Sequence, residues 1–201
     1  MAATRVDADE VMFRALDVAC LRCAPPFPPL AEDERGEQPD FAPEPLLEHV
    51  RRERRVGVLL ARLGGCAAGV FAGERLVASK VARRQVHGRH RAGGSSQGRF
   101  ARRREGEARA ALALAADVAA RVLLPALDGL DGVVLGGDSQ ALHSVLADPR
   151  LAPLVPLVAP RLLTVPDPRL EVLRATPERF LATILTAVPA APPPRAGPGA
   201  R

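Results

Sequence analysis

Three apolar runs at close spacing predict neighbouring strands in the middle of the chain. They cover residues 56–62, 66–72 and 75–81. The connections between them, Leu63-Gly64-Gly65 and Gly73-Glu74, have the composition of hairpin turns. The pattern therefore predicts an antiparallel meander.

The apolar spacing then changes from that of strands to that of helices. An apolar stripe with helical period predicts a long helix from about Gly98 or Arg99 to Leu124. Residues 132–135 follow as a buried strand, and Asp138 is placed to cap the helix after it. Residues 161–165 predict a further strand and residues 168–175 one or two helical turns. The last element, through Leu185, fits either helix or strand.

The order of these elements predicts an α/β fold. We expect a mixed sheet that starts with the antiparallel meander, with helices packed on it. A long basic loop tipped by Gln97 would leave the end of the third strand.

Residues 1–45 are predicted to lie outside the folded domain. Residues 9–20 have apolar positions at helical spacing and are a short helix candidate. Residues 25–45 are crowded with proline and acids, a composition that does not form a packed element. We interpret residues 1–45 as a poorly ordered arm and linker, residues 46–188 as the folded domain, which opens with a short helix over 45–55, and residues 189–201 as a disordered tail.

Composition limits the classes of protein that fit. With 201 residues and 47% apolar content, the chain is expected to form one domain. The CxxC pair, Cys20 and Cys23, lacks a second pair of ligands, and Cys66 fits a strand residue, so we predict no metal site and no cofactor. No apolar run approaches the length of a membrane span and no export signal begins the chain. We expect a reduced, cytoplasmic monomer.

The positive charge is concentrated in one place. Between Lys80 and Arg109 there are ten Lys or Arg against two Glu, a balance of +8, whereas the whole chain carries +5. Such a cluster is typical of a surface that faces a polyanion, although a solvated face is the alternative. Tryptophan and tyrosine are absent, which argues against binding of bases on aromatic platforms.

The cluster is centred on residues 83–104, RRQVHGRHRAGGSSQGRFARRR, which we call the basic segment. Its uncharged middle has almost no side-chain bulk and can approach a partner closely. Flanking arginines suit bidentate contacts to phosphates. His87 and His90 are further RNA contacts or loop residues, and a role in proton transfer is the alternative. The arginines predicted to bind RNA are Arg83, Arg84, Arg89, Arg91, Arg99, Arg102, Arg103 and Arg104.

Several of these stretches together resemble a known family. The hairpin VGVLLARLGGCAAGVFAGERLVASKV, the loop RHRAGGSSQGRFARRRE and the turn VVLGGDSQALHSVL resemble the central, catalytic domain of eukaryotic-type class I release factors. They are still more similar to the bacterial relatives of the release-factor-like tRNA hydrolases of ribosome-associated quality control. The resemblance covers residues 45–188 and implies that residues 46–188 form a release-factor-like catalytic domain.

The resemblance implies a hydrolase that frees nascent peptides from tRNA in the peptidyl transferase centre of the large ribosomal subunit. Its partners would be ribosomal RNA and peptidyl-tRNA. Gln97 aligns with the family's glutamine, and Gly93 and Gly94 with its glycines. Release factors proper have Gly-Gly-Gln contiguous, whereas Ser95 and Ser96 intervene here. Either pair could therefore shape the catalytic tip.

Glutamine cannot act as a general base, because its amide has no useful pKa. Gln97 would instead order an attacking water and stabilise the charge that develops. Two other functions stay open. One is a non-catalytic ribosome-rescue adaptor that binds ribosomal RNA and tRNA through the same arginines. The other is a nucleotide-using enzyme built on Gly136-Gly137-Asp138.

Overall fold

The structure is a computed structural model that describes residues 2–16, 19–62, 64–83 and 97–189, and of residues 97–104 the helical backbone alone. The described residues form ten strands and five α-helices. In chain order these are β1 (Ala3–Val6), β2 (Val11–Arg14), β3 (Cys20–Ala24), β4 (Gly36–Pro39), α1 (Glu44–Arg51), β5 (Arg55–Arg62), β6 (Gly65–Ala72), β7 (Arg75–Arg83), α2 (Gln97–Leu123), β8 (Gly132–Gly137), α3 (Ser139–Leu146), β9 (Val158–Leu163), α4 (Leu170–Arg174), α5 (Pro177–Phe180) and β10 (Ile184–Val188).

The chain divides into two compact units. One, which we call the terminal unit, comprises Met1–Arg52 and Leu181–Arg201; the other, the central unit, comprises Glu53–Phe180. The central unit is narrower than the domain of residues 46–188 expected from sequence. The difference arises because α1 and β10 both belong to the terminal unit.

The central unit is built on a five-stranded mixed sheet in the order β7-β6-β5-β8-β9. Strands β5, β6 and β7 pair antiparallel, whereas β8 lies parallel to β5, and β9 parallel to β8. Residues 56–61 and 66–71 are buried throughout, the pattern of strands covered on both faces. The predicted α/β fold, with a mixed sheet that starts as a meander, is confirmed.

Helices cover both faces of this sheet. The apolar side of α2, which includes Ala115 and Leu123, packs on one face. On the other face, Leu173 of α4 is fully buried and the ring of Phe180 meets that of Phe71 edge-on, with ring centroids 5.6 Å apart. The last element was predicted to be either a helix or a strand. The structure has a short helix, α5, followed by a strand, β10.

The terminal unit corrects the expectation that residues 1–45 lie outside the fold. Its antiparallel sheet has the order β10-β3-β2-β1-β4. The helix predicted over residues 9–20 is wrong, because β2 and β3 occupy that stretch. Val11 and Phe13 alternate with exposed or half-buried neighbours and join Val6 and Cys23 in a small core. In a run of four residues, apolar positions that fit a strand also fit a helix. Pairing with β1 determines that residues 11–14 form a strand.

The Pro-rich stretch over residues 25–45 is fixed by individual hydrogen bonds. His49 Nε2 donates to the Pro26 carbonyl at 2.9 Å, and the backbone N–H of Leu30, which is buried, donates to the Ala8 carbonyl at 2.7 Å. Thr4 Oγ1 donates to the Asp40 carbonyl at 2.9 Å. Because proline lacks a backbone N–H, this stretch cannot form a regular ladder, and single bonds from side chains and from the backbone hold it instead. Of the predicted disordered tail, residues 190–201 lie outside the described residues.

Helix α2 also corrects the expectation that no apolar run reaches the length of a membrane span. Residues 105–129 are long and apolar enough, by length and composition alone, to cross a bilayer. The stretch is apolar because it is rich in alanine and leucine. Val118, Ala119 and Leu123 are fully buried against the sheet of the central unit, so packing in the core accounts for this composition.

A charged network joins α2 to the 3-10 segment Pro149–Leu157. Arg150 Nη2 lies 2.8 Å from Asp117 Oδ1 of α2 and 2.7 Å from Asp148 Oδ2. Asp148 also accepts the backbone N–H of Arg150 at 3.0 Å. The side-chain hydrogen bond from Arg150, and after it this backbone bond, lowers the pKa of Asp148 from 3.8 to about 2.

The low pKa of Asp148 predicts a pH-dependent contribution to stability. Since the folded chain holds this carboxylate ionised to lower pH than the unfolded chain, the contribution is fully present above about pH 4 and is lost as the pH falls through about 2. Urea unfolding should find the wild type more stable than Asp148→Asn at about pH 6, and the difference should shrink at about pH 2.5. In an Arg150→Met background the effect of Asp148→Asn should become smaller but persist, because the backbone N–H of residue 150 still donates to Asp148. A difference independent of pH would contradict this assignment.

Candidate functional site

The carboxyl ends of four strands, β5, β7, β8 and β9, lie at one edge of the central sheet. Strand β8 is parallel to β5, and β7 runs in the same direction because both β5 and β7 are antiparallel to β6. The register pairs Gly65 with Arg83 across β6 and β7, and Ala61 with Gly137 across β5 and β8. The basic segment therefore begins at the edge where β8 passes into α3. We call this edge the carboxyl edge.

Helix α2 extends past the carboxyl edge. It spans 27 residues, or about 40 Å at 1.5 Å per residue. Between residues 105 and 123, where the structure describes the side chains of α2, the first buried residue is Ala115. Glu105 and Gly106 are exposed, and a Cβ added to Gly106 would meet nothing within 4 Å. The helical backbone from Gln97 to Ala108 spans about 16 Å. Gln97 is therefore separated along the helix from Ala115 and the buried residues after it.

The predicted site residues fall in three places. Arg83 is exposed at the end of β7. Gln97 is the first residue of α2, and Arg99, Arg102, Arg103 and Arg104 follow in its first turns, where the structure describes the backbone only. The other predicted residues lie outside the described residues, namely Arg84, His87, Arg89, His90, Arg91, Gly93, Gly94, Ser95 and Ser96.

The start of α2 favours anions. The first turn of a helix leaves backbone N–H groups without partners and carries a partial positive charge. The first turn of α2 contains no acidic residue, and arginines follow it. Glu105 and Glu107 come only after Arg104. The partial charge of the backbone and the charge of the arginine side chains are therefore both positive at the end of α2 that carries Gln97.

A groove of about 390 Å³ lies at the carboxyl edge, between α2, α3 and the turn from β5 to β6. Small residues of α2, among them Ala108, Ala111 and Ala115, form one wall, and Arg62 is at the turn. Polar side chains at the start of α3 form the opposite wall, namely Asp138, Gln140 and Ser144. This groove was not predicted from the sequence. Positions 108, 111 and 115 lie on one face of a helix and are all alanine. This row of small residues is the signal that could have indicated the groove.

The turn from β8 into α3 is tightly built. Gly137 has φ +112°, a conformation that side chains with a Cβ rarely adopt. The N–H of Asp138 donates to the Ala61 carbonyl at 2.8 Å, and Asp138 Oδ1 accepts the N–H of Ala141 at 2.7 Å. The predicted N-cap is therefore confirmed. Its carboxylate occupies the helix end that a nucleotide phosphate would need, which weighs against a nucleotide-using enzyme.

Two of the three cysteines are buried within the sheets. Cys23 of β3 and Cys66 of β6 are buried. Burial raises the pKa of each of these two thiols, which keeps them protonated near neutral pH. Among residues 2–16, 19–62, 64–83 and 97–189, no group of three or more His, Cys, Asp or Glu side chains is placed to hold a metal ion.

Two curated proteins named peptide chain release factor subunit 1 are similar to this chain. They come from Thermococcus sibiricus (strain DSM 12597 / MM 739) and Thermococcus onnurineus (strain NA1), and each is 31% identical over 123 residues. The aligned part is 60% of this chain and 29% of each relative, so the chain spans less than a third of their length.

Comparison with solved structures and with family models gives two further findings. The crystal structure of the archaeal translation termination factor aRF1 matches with a TM-score of 0.48 and 20% identity, over 85% of this chain and 47% of that one. The model of the Actinobacteria/chloroflexi VLRF1 release factor matches residues 54–186, which is more than half of the chain and takes in β5 to β9, α2 and the basic segment. The chain therefore belongs to the Actinobacteria/chloroflexi VLRF1 release factor family.

Proposed function

We propose that this protein is a peptidyl-tRNA hydrolase that releases nascent chains from stalled large ribosomal subunits. The observation that carries the proposal is the position of Gln97, the first residue of α2, in a first turn that contains no acidic residue and is followed by arginines. Membership of a release factor family supports a role in translation, and the basic segment supports contact with RNA.

The reaction is hydrolysis of the ester between the peptide and the terminal ribose of tRNA. The oxygen of a water adds to the ester carbonyl carbon, the bond from that carbon to the ribose oxygen breaks, and the proton lost by the water ends on the ribose oxygen. The products are a peptide with a free carboxyl group and a tRNA with a free ribose hydroxyl. The reaction written in this way needs no cofactor.

Gln97 would place the attacking water and stabilise the charge on the carbonyl oxygen, through its side-chain amide or its backbone N–H. Gly93, Gly94, Ser95 and Ser96 would form the small tip that allows this approach. The ribosome and the ribose hydroxyl of the tRNA would supply the remaining groups. The protein would act in the cytoplasm as a monomer.

A release assay tests this function directly. Purified protein is mixed with large subunits that carry peptidyl-tRNA labelled in the peptide, and free peptide is separated from peptidyl-tRNA. We expect wild-type protein to release the peptide. Binding to the subunits with the ester left intact would refute the hydrolase and would favour the non-catalytic adaptor.

The arginines at the start of α2 are predicted to hold RNA phosphates. A triple variant with Arg102→Ala, Arg103→Ala and Arg104→Ala should bind large subunits more weakly, because fewer counterions are released from the RNA on binding. The slope of log affinity against log salt concentration should decrease by about 0.7–0.9 for each phosphate that the variant no longer neutralises.

Arg121→Ala is the matched control for that variant. Arg121 is exposed in the last turn of the same helix, far along α2 from Gln97. It should leave both the affinity and the salt slope unchanged. Equal effects of the triple variant and of Arg121→Ala would contradict the specific role of the basic segment.

A further inference from the structure

Strand β10 is an edge of the sheet of the terminal unit and lacks the protection that the other edges have. The described strands present four sheet edges, β4, β7, β9 and β10. Natural edge strands carry charges or proline, which hinder pairing with other chains. The residues of this kind in the other three edges include Glu37 and Pro39 of β4, Lys80 of β7, and Pro160 and Arg161 of β9. Strand β10, Ile-Leu-Thr-Ala-Val, contains neither a charge nor a proline.

The outer side of β10 is open to a further strand. All five of its residues are exposed, and among the described strands it pairs with β3 alone. Alternate residues of an edge strand direct their backbone groups away from the sheet. Leu185 lies opposite Cys23, on the side of the small core, yet it is 61% exposed, and Ala187 lies on the same side opposite Leu21. The apolar side of the sheet therefore continues to this edge.

The sequence of β10 is complementary to itself in an antiparallel pair. With Thr186 opposite the Thr186 of a second copy, Ile184 lies opposite Val188, and Leu185 opposite Ala187. Every apolar residue then meets an apolar residue, and the pairs Ile–Val and Thr–Thr are of the kind that stabilises a sheet. This register pairs all five residues. A shift by one residue would place opposite sides of the two sheets together.

We propose that two copies of this protein associate through β10, in an antiparallel pair centred on Thr186. The pair joins two five-stranded antiparallel sheets into one sheet of ten strands around a two-fold axis. Pro189 follows β10 and limits the ladder to five residues in each copy. Two such strands bury less than the roughly 1,200 Å² of a standard interface, so the dimer is weak, with a dissociation constant of about 10–100 µM.

The dimer is a form of the free protein. A monomer was expected from the sequence, and one copy acts on a large subunit in the proposed function. A weak interface exchanges rapidly, so the monomer stays available for that action. Association through β10 does not depend on hydrolysis. The release assay can therefore fail while the dimer is found, and the dimer can be absent while peptide is released.

Charges at position 186 test the interface, because Thr186 lies on the two-fold axis and meets its own copy. Thr186→Glu and Thr186→Lys each place like charges opposite each other, and each should weaken association about tenfold. An equimolar mixture of the two variants places opposite charges together and should dimerise at least as well as the wild type. Glu37→Gln changes one charge on β4, the other edge of the sheet, and should leave association unchanged.

Introduced cysteines test the register in a Cys20→Ser background, which removes the half-buried thiol of β3. Thr186→Cys should form a disulfide-linked dimer under mild oxidation, because Cβ atoms directly opposite in an antiparallel pair lie about 4.5–5.5 Å apart. Ile184→Cys is the matched control. It lies on the same side of the same strand, but its own copy is four residues further along the pair, about 13 Å away, which is too far for a disulfide.

Sedimentation velocity of the full chain, from about 1 to 500 µM, measures the association. We expect a monomer–dimer equilibrium for the wild type that each charged variant weakens and that their mixture restores. A wild type that is monomeric throughout this range would overturn the proposal, and so would a dimer that the mixture does not restore. Circular dichroism checks the folding of each variant. If a charged variant does not fold, the cysteines decide, and equal cross-linking of Thr186→Cys and Ile184→Cys would also overturn the proposal.

Discussion

Gln97→Ala is expected to lower the rate of peptide release by about 100-fold to 1,000-fold, the size of effect found when one preorganised hydrogen-bonding group is removed from a transition state. Alanine keeps the backbone N–H and the helix start but removes the amide that would hold the water. Binding to large subunits should change little, because the arginines that are predicted to contact phosphate are retained. Single-turnover release and subunit binding, measured on the same protein, check both parts.

Gln85→Ala is the control for Gln97→Ala, since Gln85 is the other glutamine of the basic segment. It should release peptide at the wild-type rate. If Gln97→Ala also kept the full rate, the side chain of Gln97 would have no catalytic role, and positioning of water would have to come from the backbone. Loss of release together with loss of binding would instead make Gln97 a binding residue.

Gly137→Ala should destabilise the protein by more than about 3 kcal/mol. The glycine has φ +112°, and a Cβ there would lie inside van der Waals contact of the Ala61 carbonyl oxygen and 3.1 Å from the carbonyl carbon. Both atoms belong to the backbone of β5, so neither can move without disturbing the ladder between β5 and β8. Chemical denaturation monitored by circular dichroism measures the loss.

Gly106→Ala is the opposite case in the same protein. Gly106 lies within α2, and a Cβ there meets nothing within 4 Å. Alanine should stabilise the helix by about 1 kcal/mol, because glycine pays a larger entropy cost in a helix interior. If both variants unfolded at the same denaturant concentration as the wild type, the geometry described for Gly137 would be wrong.

The central sheet could be predicted because its signals are local. Residues 56–61 and 66–71 are continuous apolar runs separated by glycine-rich turns, and Asp138 precedes an apolar helix, so each element is specified by its own neighbourhood. The candidate site was predicted in the same way, from the density of arginine around a small-residue stretch. Its catalytic assignment stays a prediction.

The terminal unit and the groove could not be predicted because they depend on distant pairs. Strand β3 pairs with β10, which begins at Ile184, and neither strand is longer than five residues. The spacing of apolar residues in such short strands fits a helix as well as a strand. The neighbouring strand with which they pair determines which of the two forms. The groove likewise requires α2 and α3 to be placed side by side, which no single stretch of sequence specifies.

The terminal unit is made from both ends of the chain, with the central unit inserted between Arg52 and Leu181. Synthesis runs from the N-terminus, so the central unit can fold while β3 still has one bare edge. That edge is covered only when residues 184–188 have been made. Until then the nascent protein exposes unpaired backbone groups that can bind other chains, and a product cut short after Phe180 would remain in that state.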